Sequence, residues 1–145
     1  MFSKILVPVD GSEGSWHALE CAVEMADKFA GELIICNIVQ TFTDVSLLTI
    51  PLERVSLPQD TQELEKIGNR VLEFAKEKLA EHQGNVEYVL EVGNPAERII
   101  ALAKEKECDG IVIGSRGLSG IAEFFLGSVS SKVSQYSNIP VVIVK

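Results

Sequence analysis

Cysteine is scarce and unpaired in this chain. Cys21, Cys36 and Cys108 are odd in number, widely spaced and set in apolar stretches, with no C-x-x-C pair among them. Only His17 and His82 stand available to join them, so the ligand spacing of a zinc or redox centre is missing and three inert thiols are expected. Long apolar runs are also missing. None approaches the roughly 20 residues needed to cross a bilayer, so no membrane role is expected. The run Lys4-Ile-Leu-Val-Pro-Val9 opens a strand pattern at once, without the charged, apolar and cleavage regions of a secretory leader. A cytoplasmic protein is expected. Basic charge is in deficit, with 13 Lys and Arg against 21 Asp and Glu and a net charge of −8. Nucleic-acid partners, which need broad basic surfaces, are therefore not expected. Two phosphate signatures are absent as well. No G-x-x-x-x-G-K-[ST] segment exists, and no G-x-G-x-x-G follows the first apolar run, which argues against a P-loop and against a dinucleotide fingerprint.

What remains is ordinary in amount and regular in order. The 145 residues suit one domain, residues 1–145, with a sizeable core. Strand and helix patterns alternate throughout. Lys4–Val9 is a short apolar strand, and Ser12–Phe29 follows with Leu19, Ala22, Val23, Ala26 and Phe29 at helical spacing until Gly31 stops it. Leu33–Val39 is a second strand. Thr61–His82 reads as a helix, with Asp60 and Glu63 placed for a capping box. Val86–Val92 alternates apolar residues with Glu87 and Glu91, predicting a strand with one partly exposed face. Asn94-Pro95 is an N-cap with proline at the first helical position, opening a helix to about Lys106. Gly110–Ile113, Ser128–Tyr136 and Val141–Val144 complete a βαβαβαβαβ order. That order predicts an open parallel sheet with helices on both faces. The charge run Lys104-Glu-Lys-Glu107 reads as a solvated helix face.

One long segment, residues 40–59, has no periodicity but carries Val45, Leu47, Leu48, Ile50, Leu52, Val55 and Leu57. It is too apolar for a free linker and is expected to cover either a ligand site or a partner subunit.

The stretch that reads as chemistry is the loop after the fourth strand. Gly114, Gly117 and Gly127 punctuate it, and Ser128 begins a helix. A loop that leaves a parallel strand and feeds a helix N-terminus presents unpartnered N–H groups and a favourable dipole to an anion. The glycines are expected to let the backbone curl and approach a ligand closely. From Ile111 onward, Arg116, Lys132 and Lys145 face Glu123 alone, so this region suits a small anion. Asp10 ends the first strand, where ligands gather in such sheets, although it also has a place to cap the following helix. Phe124-Phe125 is expected to plug the loop onto the core, with a dimer contact as the alternative. His17, after Trp16, is expected to pack or face solvent, and Lys132 to lie on the surface.

The spacing Gly114-x2-Gly117-x9-Gly127-Ser128, the strand end Pro8-Val9-Asp10 and the element order together resemble the ATP-binding branch of the universal stress protein family, over essentially the whole chain. The resemblance implies a Rossmann-like, adenine nucleotide alpha hydrolase-like fold with strand order 3-2-1-4-5. It implies bound ATP or another adenine nucleotide, with Mg²⁺ on the phosphates, in a dimeric regulatory stress-response sensor. Pro8, Val9 and Asp10 would lie by the adenosine, with the backbone of Val9 and Ile38 holding the base. Ile113 and Gly114 would line the adenosine side, and Arg116, Gly117, Gly127, Ser128, Val129 and Ser130 would surround the phosphates. Homodimerisation, often through the last strand (here Val141–Val144), and an unidentified regulatory protein partner are implied too. Two other functions compete: a slow ATP hydrolase or phosphotransferase, and a nucleotide-free dimeric interaction module. Hydrolysis needs a group to position water, and Asp10, the obvious carboxylate, is assigned to the nucleoside end. A phosphoryl-accepting receiver domain shares the alternation, but Asp10 has no acidic neighbour before Glu13, and Val92-Gly93-Asn94 offers no acceptor.

Overall fold

Short β-branched runs covered on both sides build the centre of the molecule. The computed structural model describes residues 1–40, 61–117 and 126–145. Its elements are β1 (Lys4–Pro8), α1 (Glu13–Phe29), β2 (Glu32–Val39), α2 (Thr61–Lys78), β3 (Val86–Val92), α3 (Pro95–Glu105), β4 (Gly110–Gly114), α4 (Ser128–Tyr136) and β5 (Val141–Val144). All registered strand pairs are parallel, and the five strands lie in the order β3-β2-β1-β4-β5. The expected fold, a single α/β domain with helices on both faces, is the one observed.

Strand alternation divides the core into two. Ile5, Val7 and Val9 point to the side covered by Ala18, Leu19 and Ala22 of α1 and by Leu72 and Ala75 of α2. Leu6, Ile34 and Cys36 point to the other side, against Ala96, Ile99 and Leu102 of α3 and Val133 of α4. Each fully buried Ile or Leu stabilises the fold by about 1.5–3 kcal/mol. Both faces are thus lost to water, which is why these strands carry continuous apolar runs.

Several boundaries differ from expectation, each for a local reason. Ser12 caps α1 instead of starting it, and its side chain accepts from the Ser15 N–H. Ala30, not Gly31, takes the left-handed position that ends α1 (φ 52°). Gly31 is needed for close approach, because a Cβ there would fall 2.3 Å from the Phe2 carbonyl oxygen. The α2 helix stops at Lys78, short of His82, because the last turn tightens: the Ala80 N–H reaches the Glu77 carbonyl and the His82 N–H the Leu79 carbonyl, both three residues back. The acidic side of β3 is partly exposed, as expected, with Glu87 exposed and Glu91 half-buried. Glu91 pairs with Arg98 at 3.1 Å and Glu87 with Lys106, both from the α3 side. Asp60, the 40–59 segment beyond Gln40, and Phe124-Phe125 lie outside the described residues. No described helix is long and apolar enough to cross a membrane.

Candidate functional site

A crevice opens where β1 stops pairing with β4. The odd residues along β1 and its flanks turn their backbone groups toward β2: just before the strand Ser3 accepts from the Glu32 N–H at 2.9 Å, and just after it the Val9 N–H donates to Cys36 at 2.8 Å. The even residues face β4, where the Lys4 carbonyl accepts from the Asp109 N–H at 3.0 Å. Pro8 therefore faces β4 with no N–H to give. The registered β1–β4 pairs are Ile5 with Gly110 and Leu6 with Ile111, whereas β1 pairs with β2 through Pro8 and Cys36. Past Leu6 no further β1–β4 pair is registered. This is the point where connections leave the sheet on opposite sides, and where such folds place ligands. On β2, Glu32 and Cys36 turn their backbone toward β1. Ile38, in the same alternation, turns its N–H and C=O toward a β1 that has already ended.

The first wall of the crevice is the turn Asp10-Gly11-Ser12, which Gly11 makes with a φ of 87°. Asp10 Oδ1 accepts from the Ser12 N–H at 2.9 Å and also from the Ser12 hydroxyl. Asp10 thus steadies the residue that caps α1 and leaves the capping to Ser12. Its other oxygen, Oδ2, faces Gly117, where a Cβ would come within 2.6 Å.

The second wall is made by the two ends of the glycine loop. The Ser115 N–H donates to Val144 at 2.8 Å, continuing the β4–β5 ladder. The Ser115 carbonyl accepts from the Gly127 N–H at 2.7 Å and from the Ser130 hydroxyl at 2.9 Å. The loop therefore leaves and returns at one carbonyl. Gly127 is the N-cap of α4 and supplies no side-chain capping bond, while its carbonyl accepts from the Ser131 N–H at 2.9 Å. The N–H groups of Ser128, Val129 and Ser130 occupy the first turn, where helices lack internal acceptors. The Ser130 proton is directed at Ser115 and Gly127 carbonyls (2.9 and 3.1 Å), so the side chain is a brace for the loop.

The three motif glycines do not curl through left-handed backbone. The positive-φ glycines among the described residues are Gly11 and Gly93. Gly114 matters for another reason: a Cβ on it would sit 2.9 Å from the Gly14 carbonyl carbon and oxygen, so its bareness lets β4 pack against the start of α1.

All twelve candidate residues line one cavity of about 360 Å³: Pro8, Val9, Asp10, Ile38, Ile113, Gly114, Arg116, Gly117, Gly127, Ser128, Val129 and Ser130. Five more that the sequence did not single out join them, namely Ser15, Asn37, Gln40, Pro95 and Ile99. Asn37 had a legible signal, being a polar residue inside the apolar run of β2. Among the described lining residues Asp10 is the single carboxylate and Arg116 the single cation, and Arg116 is exposed. His17 and Lys132 are exposed and lie off the cavity. Burial raises the Cys36 thiol and pushes the Cys108 thiol up to about 11. Among the described residues no three His, Cys, Asp or Glu side chains gather as a metal site.

The chain is similar to known proteins over its whole length. The model of the universal stress protein family matches residues 1–145. The universal stress protein YxiE of Bacillus subtilis is 42% identical over 150 residues, covering all of both chains. The universal stress protein MJ0577 of Methanocaldococcus jannaschii is 30% identical, over all of this chain and 96% of its own. The solved structure of MJ0577 superposes with a TM-score of 0.81 at 29% identity, covering 100% of this chain and 96% of its own. A universal stress protein solved in complex with cAMP superposes with a TM-score of 0.71 at 28% identity, covering 99% and 97% of the two chains.

Proposed function

Because the chain belongs to the universal stress protein family, we propose that its crevice binds an adenine nucleotide, ATP in the first instance, with Mg²⁺ carried on the phosphates. The observation that carries this reading is one of placement. The α4 N-terminus, without a side-chain cap, opens into the same cavity as Asp10 and Ile38. One end of that cavity offers helix N–H groups and Arg116 to phosphate. The other offers Ile38, Pro95, Ile99 and Ile113, flat apolar contact for a base, with the Ile38 backbone turned toward its edge. The cAMP held by a relative of the same fold supports an adenine ligand.

Binding is favoured over turnover. Asp10 is the one carboxylate among the described lining residues, and its Oδ1 is engaged by Ser12. Among the described residues little is left to orient a water for attack on a terminal phosphoryl group. The protein then acts in the cytoplasm as a nucleotide-responsive regulator. Two copies pair along the outer edge of β5, the last strand of the sheet, and nucleotide shifts the population of states that a regulatory partner reads.

Mass spectrometry of the nucleotide released on denaturing freshly purified protein tests this reading. Adenine nucleotide carried by the native chain and lost from a Gly127→Val, Ser128→Ala variant is the expected result. ATP recovered intact fits a binder, and ADP or AMP instead points to the slow hydrolase. A native chain that arrives empty and takes up no added ATP overturns the nucleotide reading and leaves the dimer surface as the seat of function. Light scattering coupled to size exclusion reads the dimer.

A further inference from the structure

We propose that Asn37 is the positioning residue of the nucleoside end of the crevice, aiming the Asp10 N–H at a hydrogen-bond acceptor of the bound adenosine; this rests on the nucleotide reading above. Asn37 is buried, 8% exposed, and lines the cavity. Its side-chain Nδ2 donates to the Val9 carbonyl at 2.8 Å. The Val9 N–H is already given to Cys36 at 2.8 Å, so the residue before Asp10 is held to β2 at both of its backbone polar groups.

The consequence lies one atom further on. A trans peptide is planar, and its N–H points opposite to its C=O. With the Val9 carbonyl held toward β2 by Asn37, the N–H of Asp10 must point toward β4. That is the direction the even residues of β1 take in the sheet, as Lys4 does in accepting from Asp109. At Asp10 the β4 pairing has already ended, so this N–H faces the crevice instead of a ladder partner. Ile38 on β2 faces the same space from the other side. Asn37 thereby turns the end of β1 from a sheet edge into half of a nucleoside cradle.

The surroundings of Asn37 are shaped to admit its amide. Gly68 lies in the middle of α2 and is buried, and a Cβ there would stand 2.7 Å from Asn37 Oδ1. A glycine in a helix interior costs about 1 kcal/mol relative to alanine, and here it gives the amide room. Without a donor at position 37, the Val9 carbonyl loses its partner and the Val9–Asp10 peptide is free to rotate.

Isotope-labelled full-length protein tests this by the Asp10 amide resonance, titrated with adenosine, AMP and ATP. In the native chain that amide should shift with adenosine alone. In Asn37→Ala it should not, and affinity for all three ligands should fall by a common factor of about ten, the loss of one hydrogen bond to a buried group. A Gly127→Val variant should behave differently, losing more with each added phosphate. A general packing defect moves the melting temperature but does not produce that pattern. If Asn37→Ala does not fold, Asn37→Asp, which keeps the shape of the side chain but removes the Nδ2 donor to Val9, takes its place in both readouts. A native chain that binds nucleotide with an unresponsive Asp10 amide, or an Asn37→Ala chain that binds as tightly as native, overturns the role of Asn37 and leaves the nucleotide reading standing. A native chain that binds none of the three overturns both.

Discussion

The Ser130 hydroxyl donates to the Ser115 carbonyl at 2.9 Å, joining two residues fifteen apart across the glycine loop. Ser130 is only 3% exposed, and the Gly127 N–H reaches the same carbonyl at 2.7 Å. One acceptor therefore sets where the loop departs from β4 and where α4 begins. Ser130→Ala removes one of the two donors and is expected to cost about 1 kcal/mol of stability, read as a lower urea midpoint. Because the Gly127 bond persists, nucleotide affinity should fall less than in Gly127→Val. Equal losses in the two variants would mean that the Ser130 hydroxyl contacts ligand directly.

Gly114→Ala should be more damaging to the fold. The new Cβ meets backbone atoms of Gly14 at 2.9 Å, and a backbone cannot step aside as a side chain can. Overpacking of this kind costs about 1–3 kcal/mol. Thermal unfolding of the ligand-free variant should reveal it, and an unchanged melting temperature would show that α1 can lift from β4 without penalty.

Gly68→Ala sets two effects against each other. Alanine is the better helix former by about 1 kcal/mol, yet its Cβ would lie 2.6 Å from Leu90 Cδ1, 2.7 Å from Asn37 Oδ1 and 3.1 Å from Val39 Cγ2. Leu90 can give way at its far end, whereas the Asn37 amide is tied to Val9. Packing should win, with net destabilisation on the order of 1 kcal/mol in chemical denaturation. A stabilised variant would show that the amide has room to move.

Asp109 makes the N-terminal strand sensitive to acid. Partial burial pushes its carboxyl pKa up, but hydrogen bonds from the Lys4 N–H and from the Ser3 hydroxyl and N–H, aided by the N-terminal charge, outweigh it and hold the pKa below the ordinary value. Since the folded carboxyl has the lower pKa, its stabilisation is complete above the unfolded value of about 3.9. It is lost as pH falls through the folded value. Urea unfolding at pH 7 and at pH 3 should therefore show a larger acid loss in the native chain than in Asp109→Asn. Parallel losses would assign the acid sensitivity to other carboxylates.

The thiols should sort by burial. Cys108, pushed up to about 11, is about 0.1% thiolate at pH 8, and the thiolate is the reactive form. Cys36 is fully buried with its pKa raised further. Cys21 is half-buried. Labelling the folded protein at pH 8 should modify Cys21 first and reach the other two only on unfolding. Rapid labelling of all three would mean that β2 or β4 opens readily.

Much of this protein was determined by local sequence alone. Apolar runs of strand length, the Asn94-Pro95 helix start and the alternation of patterns name every described element to within a few residues, because periodicity is set by backbone geometry and burial. The glycine spacing and Asp10 mark the crevice for the same reason, as each lies at an element boundary where backbone groups go unpaired. The strand order was legible only through the family resemblance, and the tertiary structure decided the rest. Which β1 face loses its ladder depends on Pro8 lying opposite β4, and the purpose of Gly114 depends on Gly14, a hundred residues away. Asn37 reads as an anomaly in β2 until Val9 is brought beside it. These are contacts between segments distant in the chain, and their energies exist only once the sheet has assembled.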